Sequence, residues 1–175
     1  MLEAVRNRRS IRRYRDKTID AATLRALQEA ALRAPTSRNL QPCSFVFVTD
    51  RELLRELSHA KPTFAEWIGS AALGVVVCAD ASVSDCWVED ASIAAATIQL
   101  VAADLELGSC WIQIRARQHR DGRPAEEHIR DVLDLPDELS VLCMLSIGYP
   151  AEKKPPRTTE SLPWEKIEVR AGNAG

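Results

Sequence analysis

Residues 88–107 read VEDASIAAATIQLVAADLEL, the longest helical pattern in the chain. As a helix this stretch spans about 30 Å at the standard rise per residue. Its alanines (Ala91, Ala94, Ala95, Ala96, Ala102, Ala103) leave the middle without a well-solvated face. A helix that is apolar nearly all round has to be covered. It is therefore expected at the centre of the protein or in a subunit interface. Gly108, which follows, reads as the left-handed cap that ends it.

On either side of this helix lie runs of strand length. Ala72–Ala79 (ALGVVVCA) is continuously apolar and is expected to be buried on both faces. Ser109–Ile114 (SCWIQI) and Ser140–Ile147 (SVLCMLSI) form two more strands, the latter closed by Gly148-Tyr149-Pro150. Ser44–Thr49 (SFVFVT) is a fourth, rich in aromatic and branched residues. Between the strands, Asp20 and Asp50 are placed to cap helices. The inner faces of these helices would be Leu24, Leu27 and Ala31, and Leu53, Leu54 and Leu57. Met1–Asn7 is a short helix candidate, Pro62–Ser70 a loop with a helical turn, and Pro124 opens a helix with Glu126 and Glu127 in its first turn. Strands alternating with helices give a mixed α and β class around one sheet. There is no internal repeat and no linker dividing two domains.

A chain of 175 residues suffices for one domain with a real core. A net charge of −2 gives no bias toward nucleic acid or a membrane surface, and neither is expected as a partner. The longest apolar stretch, Ala91–Ala103, is too short to span a bilayer. No signal peptide is read at the N-terminus. The five cysteines, odd in number and without a Cys-x-x-Cys pair, read as free thiols of a reducing cytoplasm. His59, His119 and His128 have no spacing suited to a shared metal and are expected at the surface. A Gly-x-Ser-x-Gly elbow, a Walker loop and a Gly-x-Gly-x-x-Gly fingerprint are all missing. Any phosphate would be gripped by arginines rather than a glycine cradle.

The positive charge is concentrated. Residues 6–15 hold six arginines and no acid, whereas no Lys or Arg occurs between Lys61 and Arg115. Within that first stretch, Arg8, Ser10 and Arg12 alternate, so an extended backbone would project them the same way. That suits a phosphate and a ring edge, but a solvated basic loop reads equally from composition; a site for RNA or an acidic partner is a third reading, weakened because only Tyr14 stands among the arginines as an aromatic platform. The loop Ala34–Pro42 (APTSRNLQP) packs hydroxyls and amides between two prolines ahead of a buried strand, where ligand contacts tend to lie. Lys153, Lys154 and Arg157 follow Ile147-Gly148-Tyr149-Pro150 as a third basic element.

Taken in order, RRSIR, APTSRNLQP, LGVVVCAD, the alanine-rich helix, GSCWIQIR and IGYP with its basic followers resemble the nitroreductase family of FMN enzymes, from about Arg6 to Arg157. The resemblance implies an α+β fold, with a mostly antiparallel sheet of four to five strands surrounded by helices. It also implies a homodimer with the long helix at its interface and FMN bound between subunits. Residues 1–150 would be one FMN-binding domain, and 151–175 an extension packing on the partner. Arg8, Arg9, Ser10 and Arg12 would hold flavin phosphate, ribityl and ring edge from one subunit. Pro35, Thr36, Ser37 and Asn39 would reach the same flavin from the other, with Gln41 assisting or bracing. Lys153, Lys154 and Arg157 would complete the phosphate site, Arg157 being preferred. Contacts at Ile112 and Gln113 follow less directly, because many relatives have a glycine soon after that position and this chain continues Ile114-Arg115-Ala116-Arg117.

The implied activity is ping-pong electron transfer from NAD(P)H to a small planar acceptor such as a nitroaromatic or quinone. Arg12 would tune the flavin, and no catalytic side chain or metal is required. Dehalogenation, desaturation or flavin breakdown on the same scaffold, a flavin-binding sensor, and a basic interaction module all stay open. The natural substrate and the choice between NADH and NADPH are not legible.

Overall fold

The computed structural model describes residues 1–170; positions 171–175, the end of the expected extension, lie outside the described residues. Helices α1 (Leu2–Asn7), α2 (Ala21–Leu32), α3 (Arg51–Ser58), α4 (Trp87–Asp104) and α5 (Ala125–Leu133) surround four strands. The strands are β1 (Cys43–Val48), β2 (Leu73–Asp80), β3 (Gly108–Gln113) and β4 (Leu139–Gly148). They form one sheet in the order β1-β2-β4-β3, antiparallel throughout.

Local chemistry sets the helix starts. Asp20 accepts from the Thr23 N–H at 2.9 Å and Asp50 from the Leu53 N–H at 2.9 Å. Each satisfies a first-turn donor that has no partner within its helix. Side-chain alternation then divides the core in two. Val75, Val77, Leu145 and Ile147 face α2 and α4, meeting Leu27, Ala91, Ala95 and Ile98. Val76, Ile112 and Met144 face α3 and α5, meeting Leu54, Leu57 and Ile129. The two central strands, β2 and β4, are thus buried on both faces, as their continuous apolar runs require.

Within one chain the long helix is covered on one side: Ala91, Ala94, Ala95, Ile98 and Ala102 are buried, while Ile93 is 42% exposed. Three expectations change. Leu53 is 36% exposed, and the inner seam of α3 is Leu54 with Leu57. His119 is buried rather than superficial, its ring stacked on His128 with centroids 4.8 Å apart and Nδ1 2.9 Å from Asp121 Oδ1. Gly108 is not a helix cap. The helix ends at Asp104, the left-handed residue is Glu106 (φ 60°), and Gly108 is the first residue of β3.

The reason for glycine at 108 is close approach. A Cβ there would lie 2.7 Å from the Ile11 side chain, and one on its register partner Gly148 would lie 3.0 Å from the Tyr14 ring. The two glycines let residues 10–14 cross the end of the sheet. Ser10 bridges Ser109 and Tyr14 bridges Pro150. The buried Tyr14 hydroxyl bonds Ile11 O at 2.6 Å and Ser146 Oγ at 2.8 Å. Burial raises the Tyr14 pKa, so this hydroxyl stays protonated. Gly108→Ala is expected to destabilise the fold by about 1–3 kcal/mol through overpacking against Ile11. Urea unfolding of the two proteins measures it; unchanged stability would mean that the segment is not pinned there.

All five cysteines are free thiols, with Cys78, Cys110 and Cys143 buried. No described helix is long and apolar enough to cross a membrane. The tail from Ala151 runs over the surface with Trp164 55% and Ile167 63% exposed.

Candidate functional site

The crossing segment delivers its side chains to the open edge of the sheet. Cys110 of β3 lies under it. Burial raises that thiol's pKa, while Arg12, Lys154, the Ser10 hydroxyl and Arg8 pull it down. Lys154 Nζ donates to Ser10 O at 2.6 Å, tying the tail to the arginine segment. The Arg9 guanidinium donates to Pro155 O. Beside these residues opens a cleft of about 640 Å³, lined among others by Arg8, Arg9, Lys153, Lys154 and the end of α4 at Ala103. Four cations face two carboxylates, Glu106 and Glu152, so the cleft is net positive.

Glu152 had no role in the sequence reading. Its Oε1 accepts the Arg12 backbone N–H at 2.7 Å and lies 3.2 Å from Lys154 Nζ. The Arg12 N–H first, and Lys154 after it, hold this carboxyl below its ordinary 4.5. A lowered folded-state pKa stabilises above the unfolded value and loses that contribution as pH falls through the folded one. The wild-type protein is therefore expected to be more stable than Glu152→Gln at about pH 7, with the gap closing below about pH 4.5. Thermal melts across that range check it; a gap that widens in acid would contradict it.

Arg12 departs from its neighbours. Its guanidinium lies over the Trp67 ring, 4.9 Å from the centroid, within cation–π range. Among the described residues it has no carboxylate partner within salt-bridge distance. Arg157 is exposed and does not line the cleft, whose tail cations within one chain are Lys153 and Lys154.

On β3, the Ile112 side chain is buried in the α3/α5 core. The Ile114 N–H donates to Leu142 O of β4, whereas Ser109 O accepts the Ile11 N–H from the other side. Backbone groups alternate along an antiparallel strand. Those of Trp111 and Gln113 therefore turn to the free edge and those of Ile112 toward β4. The Gln113 side chain is engaged locally, accepting from Trp111 Nε1 at 3.0 Å and donating to Arg115 O at 2.9 Å.

The loop holding Pro35, Thr36, Ser37, Asn39 and Gln41 lies elsewhere. Left-handed φ angles at Arg38 (52°), Asn39 (56°) and Gln41 (51°) fold it tightly. These angles are costly for residues with a Cβ. They are held by Thr36 Oγ1, which accepts the Gln41 N–H at 3.1 Å, and by Asp90 Oδ1, which accepts the Ser37 N–H at 2.7 Å. Asp90, buried in the first turn of α4, was also missed by the sequence reading. The loop is thus anchored near the N-terminus of α4 and beside β1, while the cationic cleft sits at the C-terminus of α4 and beside β3. About 20 Å of helix separates them.

Comparison with known proteins returned a consistent set. The model of the Nitroreductase family matches residues 5–76 and 65–149. The structure of an FMN-dependent nitroreductase from Clostridium difficile R20291 superposes with a TM-score of 0.94 at 39% identity, covering 98% of this chain and 100% of that one. An Archaeoglobus fulgidus protein with the provisional name NADH dehydrogenase/NAD(P)H nitroreductase is 36% identical over 87% of each chain. The Bacillus subtilis FMN reductase [NAD(P)H] is 29% identical over 95% of this chain and 72% of its own.

Proposed function

This chain belongs to the nitroreductase family, and from that premise we propose that it is an FMN-dependent oxidoreductase. It takes electrons from NAD(P)H and passes them to planar acceptors such as nitroaromatics or quinones. The observation that carries this reading is the gathering of Arg8, Arg9, Lys153 and Lys154 in one net-positive cleft, with Lys154 bonded to Ser10 O at 2.6 Å.

The residues fit the cofactor. The cleft volume lies in the range of small-molecule sites. Phosphate is a doubly charged, multi-acceptor ligand, and Arg8, Arg9, Lys153 and Lys154 supply cationic donors of matching chemistry. Ser10 offers a hydroxyl to the ribityl chain and Arg12 a cation to the ring edge. The free edge of β3 at Gln113 offers backbone donors and acceptors to a flat ring. When bound, FMN supplies the redox chemistry, taking two electrons from one partner and yielding them to the next in alternating half-reactions. No side chain here is assigned a proton-transfer role; water or the acceptor provides the proton.

The site is proposed to be shared by two chains. The loop at Thr36–Gln41 and the cleft at Arg8 lie at opposite ends of α4, too far apart to touch one ligand within a chain. Two chains packed with their α4 helices antiparallel bring each loop to the partner's cleft. Exposed Ile93 on α4, Leu2 and Val5 on α1, and Trp164 and Ile167 on the tail supply apolar surface for such packing. Residues 1–150 then act as one flavin domain and the tail beyond as an arm over the partner. The free thiols accord with work in a reducing cytoplasm.

The test is the absorption spectrum of the purified protein, followed by NAD(P)H oxidation against a panel of quinones and nitroaromatics. A flavin spectrum with acceptor-dependent turnover is expected. A colourless protein that gains no FMN on reconstitution would overturn the reading.

A further inference from the structure

Trp67 belongs to the 3₁₀ turn Glu66–Ser70 after α3, a stretch that the family resemblance leaves without a role. Its ring carries the Arg12 guanidinium, 4.9 Å from the centroid.

Most arginines that need fixing in place are fixed by a carboxylate, which also cancels their charge. An aromatic face orients the guanidinium plane and leaves the charge available to a ligand. The ring itself is steadied by its neighbours. Part of it packs against the α3/α5 core, and Phe64, at φ 64°, lies against it with centroids 6.5 Å apart. The guanidinium therefore rests on a braced support.

We propose that Trp67 is a positioning residue for Arg12: its face holds the guanidinium with its charge uncancelled, so that the charge acts on the ring edge that becomes negative when FMN is reduced. This rests on the flavin reading above. The oriented cation favours the reduced form, so the effect is on redox balance rather than on folding.

The test is the two-electron reduction potential of the FMN-loaded protein, measured by dye equilibration for Trp67→Leu, Trp67→Phe, Arg12→Ala and Arg12→Ala/Trp67→Leu. Trp67→Leu removes the ring. It is expected to lower the ratio of reduced to oxidised FMN affinity about tenfold, a potential about 30 mV lower. Trp67→Phe keeps a smaller and weaker π face and is expected to lose about threefold, less than the Leu variant. In the Arg12→Ala background, Trp67→Leu should add less than its single loss, because the two share one task.

An unchanged potential in Trp67→Leu, or full additivity with Arg12→Ala, overturns the proposal while leaving the flavin reading intact. Absence of FMN from the unsubstituted protein overturns both. Should the Leu variant fail to fold, Trp67→Phe decides alone: a potential equal to that of the unsubstituted protein overturns it.

Discussion

Replacing Arg8 and Lys154 together with alanine is expected to weaken FMN binding by about 10²–10⁴-fold. Hydrogen bonds to charged groups contribute about 1.5–3 kcal/mol each, and each 1.4 kcal/mol is about tenfold in affinity. The two residues enter the same cleft from different directions, Arg8 from the N-terminal segment and Lys154 from the tail. Lys154 also braces Ser10 O, so its loss both removes a cation and loosens the segment that presents the others. Arg13→Ala is the matched control: its side chain is exposed and outside the cleft, and binding should stay within about twofold. Fluorescence titration of FMN reports all three values. Equal losses for Arg13→Ala and the double variant would mean that only overall charge matters.

The second large effect is on redox balance. Arg12→Ala is expected to weaken FMN binding about tenfold and to lower its reduction potential, because a cation near the ring favours the form that carries negative charge. A tenfold preference corresponds to about 30 mV for a two-electron couple. Arg12 contacts nothing in the phosphate cleft through its side chain, so the potential should move more here than in the Arg8 or Lys154 variants. FMN still bound at an unchanged potential would remove Arg12 from the ring edge.

Much of this was legible in the chain itself. The four apolar runs correspond to the four strands, whereas six arginines in ten residues without an acid read equally, by themselves, as a solvated basic loop. What was not legible depends on contacts distant in sequence. Gly108 follows a helix, where glycine is common as a cap, and only the approach of Ile11 reveals its actual role. Arg12 belongs to the same run as Arg8 and Arg9, yet its side chain goes to Trp67, on a turn whose aromatic residues gave no periodic signal. Glu152 is an acid inside a cationic site, and charge counting discards such a residue although it clamps the Arg12 backbone. The tail cations differ by the path of the backbone alone, which brings Lys154 to Ser10 and leaves Arg157 in solvent. His119 looked superficial because nothing local records the ring of His128 above it.

The central claim is that one flavin is gripped by two chains, the cationic cleft of one and the Thr36–Gln41 loop of the other. Sedimentation velocity of the reconstituted protein, followed at flavin absorbance, tests it most directly. The account predicts that FMN sediments with a species of about twice the 19.4 kDa chain mass, one flavin per chain, with none on the monomer. FMN travelling with a single 19.4 kDa chain would contradict it.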